Sequence, residues 1–193
     1  MASNSTDAGF VPDDDIFGSG EREVIDFSNR ESAISVRNVC IDYRTIHAAS
    51  IKDTLFNPDR KSSEIFHAVK NVSFEVPEGQ ILGITGKNGS GKSTMLRAIA
   101  GIFSADSGEI DLLETEIMLI DEVLSVGDQK FRKKSYNKMK DLISKRDRTV
   151  VIVSHSMSTL KDLCDQIIWL HGGEIIMYDT PDVVLPIYED FMK

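Results

Sequence analysis

Ile34-Ser35-Val36-Arg37-Asn38-Val39 alternates apolar with polar residues, and the alternation returns between Phe66 and Val76 through Val69, Val72, Phe74 and Val76. A strand with one solvated face has this period. Residues 44–64 between the two stretches are polar and irregular and read as a loop or insertion, while Pro77-Glu78-Gly79 supplies a turn after the second. The pair predicts a small antiparallel sheet exposed on one face. Past Gln80 the rhythm changes to compact apolar strands alternating with helical patterns. Strands are predicted over Ile81–Thr85, Glu109–Leu113, Ile117–Ile120, Thr149–Ser154, Gln166–Leu170 and Glu174–Tyr178. The strands at Ile117 and Thr149 are apolar throughout, as strands buried on both faces are. Helices are predicted from Lys92 to Ala100, from about Asp128 to Ser144, from Met157 to Cys164, and after Thr180-Pro181. Gly101 stops the first, Asp128 caps the second with Phe131, Met139, Leu142 and Ile143 facing inward, and Thr180 with Pro181 opens the last. Gly172-Gly173 makes a tight turn between the final two strands. The fold class is therefore α/β, a sandwich with a mostly parallel central sheet plus a small antiparallel β-subdomain.

Composition narrows the picture without changing it. The 193 residues suffice for one core, and 41% apolar with 27% charged is ordinary for a globular chain. A net charge of −9 argues against nucleic acid as a partner, which calls for a basic surface. Cys40 and Cys164 stand alone and read as buried thiols in a reducing compartment. Apolar runs reach only four or five residues, and no leader pattern opens the chain, so the expectation is a cytoplasmic protein or one docked to something membranous. Residues 1–32 are rich in Ser, Asn, Asp and Gly, with Asp13-Asp14-Asp15 among them, and read as a mobile acidic tail ahead of a domain over 33–193. The stretch Lys130 to Arg148 carries nine basic residues against two acidic ones. A solvated helix face accounts for it, and contact with anionic lipid or an acidic partner is the other reading.

Gly86-Lys87-Asn88-Gly89-Ser90-Gly91-Lys92-Ser93-Thr94 has the spacing G-x-x-x-x-G-K-[ST] between a predicted strand and a predicted helix. The glycines let backbone N–H groups close around phosphate oxygens, and the helix that follows turns its positive end to the same charge. Lys92 would reach the β- and γ-phosphates and the Ser93 hydroxyl would ligate Mg²⁺. Lys87 and Asn88 contribute backbone more than side chain. The pattern calls for ATP or GTP.

Twenty-seven positions beyond Thr94, Asp121-Glu122 ends the apolar strand Ile117 to Ile120. Ligands of open α/β sheets bind at the carboxyl ends of strands. There Asp121 would hold Mg²⁺ through a water, and Glu122 would orient or deprotonate an attacking water. By itself an acidic pair at a strand exit also serves as a helix cap; its pairing with the phosphate loop favours the catalytic reading. His155 follows the strand Val150 to Val153. A lone histidine is more often a structural hydrogen bonder, but at this strand end an imidazole would lie within reach of the γ-phosphate.

With these three elements in place the chain resembles the nucleotide-binding subunit of an ABC transporter. More narrowly it is similar to the subgroup that exports polysaccharide, O-antigen or teichoic acid. Asp121-Glu122-Val123-Leu124-Ser125-Val126-Gly127-Asp128-Gln129-Lys130-Phe131 and Phe66-His67-Ala68-Val69-Lys70-Asn71-Val72-Ser73-Phe74 carry the narrower likeness. The resemblance implies a P-loop NTPase sandwich using ATP and Mg²⁺, a membrane-spanning permease as partner, and a second subunit facing the site. That second subunit would be another copy or an intact homologue. The resemblance makes Glu122 the catalytic glutamate, Asp128 the aspartate facing the second subunit, His155 the switch histidine, and Tyr43 the aromatic stacked on adenine. A packed tyrosine at a strand end accounts for Tyr43 nearly as well.

Family members carry a helical subdomain between the phosphate loop and the acidic strand, with a glutamine loop and a Leu-Ser-Gly-Gly-Gln-like signature. Here no glutamine lies between Ser93 and Asp121, and no Ser-Gly-Gly run exists in the chain. The helical subdomain is thus expected to be absent, with ATP binding retained and hydrolysis impaired. Three other readings stand beside it: a non-hydrolysing ATP-binding regulatory module, an internally deleted remnant, and a P-loop kinase. The adjacent Asp-Glu and His155 fit hydrolysis better than kinase chemistry, which calls for an arginine-rich lid.

Overall fold

The computed structural model describes residues 25–46, 63–121 and 129–193. Glu122 and Asp128, two of the predicted site residues, lie outside them, as do most of the expected acidic tail and of the expected insertion after Tyr43.

Among the described residues eight strands form two sheets. β1 (Ser32–Ile46) pairs antiparallel with β2 (Ser63–Pro77) on one side and with β4 (Ser107–Leu112) on the other. The second sheet has the order β5 (Ile117–Asp121), β6 (Thr149–Val153), β3 (Ile81–Thr85), β7 (Gln166–His171) and β8 (Glu174–Asp179). Its first four strands are parallel, and β7 and β8 form an antiparallel hairpin. Four helices are described: α1 (Lys92–Ile99), α2 (Gln129–Ile143), α3 (Met157–Leu163) and α4 (Pro181–Met192).

Period-2 alternation in the buried strands divides the core into two layers. Leu82, Ile84, Val151, Val153, Ile168 and Leu170 face the antiparallel sheet and α1. Ile81, Val150, Ile152, Ile167 and Trp169 face α2, α3 and α4. A central strand apolar at every position is what a sheet covered on both faces requires. Helix ends follow local chemistry. The Ser156 hydroxyl accepts from the Thr159 N–H at 3.3 Å and caps α3, while Pro181 begins α4. Thr180 occupies the cap position there without a side-chain cap bond.

Several expectations are corrected. The loop expected from Arg44 gives way to strand: Tyr43, Arg44, Thr45 and Ile46 pair with Phe66, Ile65, Glu64 and Ser63, because a paired backbone satisfies its polar groups whatever the side chains are. The strand expected near Glu109 belongs to the antiparallel sheet, where Arg37 reaches across to Glu109 and Asp111. β5 is half-buried at each of its five positions rather than buried, since among the described residues it is the sheet's edge. On α2, Met139 and Ile143 are buried as expected, yet Leu142 is 41% exposed and Tyr136 takes the inward place. Tyr136 lies three residues before Met139 and seven before Ile143, so these residues share one face and Leu142 turns away. The Phe131 side chain lies outside the described ones. Cys164 is buried, whereas Cys40 is half-buried and accepts from the Asn71 N–H at 3.2 Å. The last residues of the expected tail are held: Arg30 donates to the Glu78 carbonyl at 2.9 Å, and the Glu78 N–H donates to the Glu31 carbonyl at 2.9 Å.

Asp165 ties the parallel sheet to the segment after α2. Its carboxylate accepts from both terminal guanidinium nitrogens of Arg146 and from the Ile81 N–H, and its side chain is 9% exposed. Breaking such a pair leaves a guanidinium without its partner in a poorly solvated place. Asp165→Ala is expected to destabilise the fold by about 3 kcal/mol, read as a lower urea midpoint at an unchanged slope. A second prediction concerns base. Burial, with a smaller contribution from Glu75, pushes the Tyr178 phenol from its ordinary 10.0 up to about 12. Its hydroxyl donates to the Glu75 carbonyl at 2.7 Å. Folding therefore favours the neutral phenol, so this contribution is complete below pH 10 and fades as pH rises through about 12. Thermal melts of Tyr178→Phe should lose less stability than the parent across that window.

Candidate nucleotide site

Register brings the site together. Val153 pairs with Ile84 on one side and Asp121 on the other, all in parallel strands. The loop after β3, the carboxylate ending β5 and His155 beyond β6 therefore emerge at one edge of the sheet, the carboxyl edge where α/β proteins bind ligands.

The loop is closely held. Gly86 has φ 147° and Gly91 has φ 102°, and a Cβ at either would sit 2.2 Å from the Leu170 carbonyl oxygen or 2.5 Å from that of Ala68. Backbone from β7 and β2 thus occupies the space that side chains would need. The Gly173 N–H donates to the Ser90 carbonyl at 3.2 Å, adding the β7–β8 turn to the cradle. Lys92 is 5% exposed, and its Nζ donates to the carbonyls of Gly86 at 2.9 Å and Lys87 at 3.1 Å. The Ser90 N–H donates to the same Lys87 carbonyl at 3.1 Å. These bonds hold the ammonium against the loop at the start of α1, where free helical N–H groups favour an anion.

Two side-chain oxygens lie beside it. The Ser93 hydroxyl donates to Asp121 Oδ1 at 3.4 Å, both side chains being half-buried. Mg²⁺ prefers few protein oxygens plus phosphate and water. A hydroxyl and one carboxylate suit Mg²⁺ shared with a phosphate. The Ser90 hydroxyl is buried with no hydrogen-bond partner among the described residues. That unsatisfied group, the glycine cradle and the lysine fit a phosphate chain with Mg²⁺.

His155 is exposed, two residues past Val153, with Ser156 N–H donating to the Ser154 hydroxyl at 3.1 Å beside it. Thr94 lies in α1, and its hydroxyl accepts from the Tyr43 phenol at 3.3 Å. The Tyr43 ring meets Phe103 edge-on at 6.1 Å. Tyr43 thus stands beside the helix that carries the loop. Asn88 and Gly89 are exposed on the loop's outer turn. Sequence reasoning missed the backbone of Ala68, Leu170 and Gly173 as the loop's walls. The contacts are carbonyl and N–H contacts from distant strands, which leave no mark in side-chain pattern.

The profile of the family described as ABC transporter matches residues 69–166. The chain belongs to the ABC transporter family. Three relatives are each named teichoic acids export ATP-binding protein TagH. The one from Bacillus anthracis is 27% identical over 219 residues, covering 74% of this chain and 39% of that protein. Its counterpart in Lactococcus lactis subsp. lactis is 28% identical, over 72% of this chain and 46% of that protein. In Listeria monocytogenes the figures are 27%, 83% and 70%. The chain thus spans less than half the length of the first two. Among solved structures, a dimeric ATP-binding cassette in a post-hydrolysis state bound to ADP and Pi matches with a TM-score of 0.60 at 18% identity, over 77% of this chain and 98% of that one. The cbiO1 protein of Clostridium perfringens, part of an ABC transporter complex, matches with a TM-score of 0.59 at 13% identity, over 83% and 93%. These share the fold. The family implies ATP binding with Mg²⁺ in general, and among the described residues no helix is long and apolar enough to cross a membrane.

Gly89 at φ 78° and Gly91 at φ 102° would each bear positive-φ strain of about 1–3 kcal/mol as alanine, and Gly91→Ala is expected to cost more, since the Ala68 backbone also blocks its added methyl. Gly89→Ala, with nothing within 4 Å of its Cβ position, should cost less. Urea unfolding of the two variants measures the difference.

Proposed function

We propose that this chain is an ATP-binding subunit for export of teichoic-acid-like or polysaccharide cell-surface polymers, retaining nucleotide binding and impaired in hydrolysis. The observation that carries the binding half is the Ser93–Asp121 oxygen pair at 3.4 Å beside a glycine cradle holding Lys92. In that reading Gly86, Asn88, Gly89, Ser90, Gly91, Lys92, Ser93 and Thr94 take the phosphates, and Ser93 and Asp121 take Mg²⁺. Glu122 and His155 serve an attacking water, Asp128 faces a second subunit and Tyr43 stacks on adenine. The named relatives support the exported class. A membrane-spanning permease would hold the chain at the cytoplasmic face of the membrane.

The impairment rests on what joins the two halves of the site. β4 ends at Leu112 and β5 begins at Ile117, leaving Leu113-Glu114-Thr115-Glu116 as the whole connection. The first relative's match extends over 219 positions, more than the 193 residues of this chain, so that protein has residues with no counterpart here. A signature from the facing subunit is needed to close over each ATP, and two copies of this chain have none to exchange. Domain boundaries follow accordingly: a tail over 1–32 and a truncated nucleotide-binding domain over 33–193.

Calorimetry with Mg·ATP should give micromolar-range affinity, lost in Lys92→Ala and weakened when EDTA removes Mg²⁺. Steady-state turnover should stay near background for the chain alone and rise on mixing with an intact homologue. Strong turnover by the chain alone would overturn the impairment, and a flat calorimetric trace on folded protein would overturn the binding.

A further inference from the structure

The last turn of α4 reaches the phosphate loop. Lys87 Nζ lies over the Phe191 ring, 4.7 Å from its centroid. That ring is itself seated on β7, 4.9 Å from the Trp169 ring and 5.1 Å from the His171 ring. Trp169 continues the cluster to Tyr188 of the same helix at 5.4 Å. Phe191 is 42% exposed, so core filling does not by itself account for its place. Its ring is set between a buried aromatic and a cation.

Lys87 is the hub of the loop's internal bonding. Its carbonyl accepts from both the Lys92 ammonium and the Ser90 N–H. Turning Lys87 would disturb both bonds at once and so move the ammonium that meets the phosphates. A cation over an aromatic face is attracted to the ring quadrupole, and here that attraction fixes the side chain of the hub residue. We infer that Phe191 is a positioning residue for the nucleotide site: α4 clamps the phosphate loop through the Phe191–Lys87 contact and pre-organises it for the triphosphate. Binding to a loop already in shape loses less ordering entropy than binding to a loose one.

The inference rests on the proposed nucleotide site, so the test separates the two. Mg·ATP affinity is measured by calorimetry for the parent chain, Phe191→Leu, Lys87→Gln and the double variant, with Lys92→Ala as control. Phe191→Leu keeps an apolar side chain on Trp169 while removing the ring face. Each single variant should weaken binding about two- to fivefold, the range that an exposed cation–π contact supports. The double variant should be no weaker than either alone, and Phe191→Trp should retain parent affinity. Losses that multiply, or unchanged affinity in Phe191→Leu, would overturn the clamp. If the parent chain itself fails to bind, the nucleotide reading falls. Hydrogen exchange at the amides of Asn88 to Gly91 in nucleotide-free protein then still decides the clamp. Faster exchange in Phe191→Leu with an unchanged melting temperature supports it, and unchanged exchange overturns it.

Discussion

Val153 is shared. Its backbone pairs with Ile84 of β3 and with Asp121 of β5, and this double pairing decides where the phosphate loop, the acidic strand end and His155 stand relative to one another. A slip of one residue along β6 would turn Val151 and Val153 from one core layer into the other. Both layers are filled on either side of these strands, so the register is held by burial as well as by hydrogen bonds. The site inherits that rigidity. Its side chains sit at the ends of strands that cannot slide.

Around the loop the same principle is carried by backbone. Ala68 of β2 and Leu170 of β7 press carbonyl oxygens into the space beside Gly91 and Gly86, and Gly173 donates to Ser90. The antiparallel sheet, the parallel sheet and the terminal hairpin therefore all wall the cradle. Phe191 adds a fourth support from α4. A buried ammonium is costly unless its donors are used, and Lys92 uses its donors on the loop's own carbonyls. The same bonds that shape the loop keep its charge where a phosphate would meet it.

β5 is an edge strand of its sheet among the described residues. Its Ile117-Met118-Leu119-Ile120 run is composed for burial on both faces, yet every position is half-exposed at the sheet edge. Leu112 and Leu113, which lead into the connection, are exposed as well. An apolar edge with open backbone groups is a place where other chains pair. The strand that presents Asp121 to the site is thus the least covered strand of its sheet's parallel part.

Local chemistry made most of the fold legible in the sequence. Period-2 and fully apolar runs marked the strands, Pro181 marked a helix start, and G-x-x-x-x-G-K-[ST] marked the loop, because each needs only neighbours in the chain. Leu142 and the strand pairing of Arg44 to Ile46 were misread since burial and sheet pairing are settled by distant partners. The sequence alone determined that a phosphate loop and an acidic strand end exist. Only the tertiary structure decided that Ser93 faces Asp121, that Ala68 and Leu170 wall the glycines, and that Phe191 lies under Lys87. Those contacts join residues from 23 to 104 positions apart, a separation that no local pattern encodes and that only packing brings to within a few ångströms.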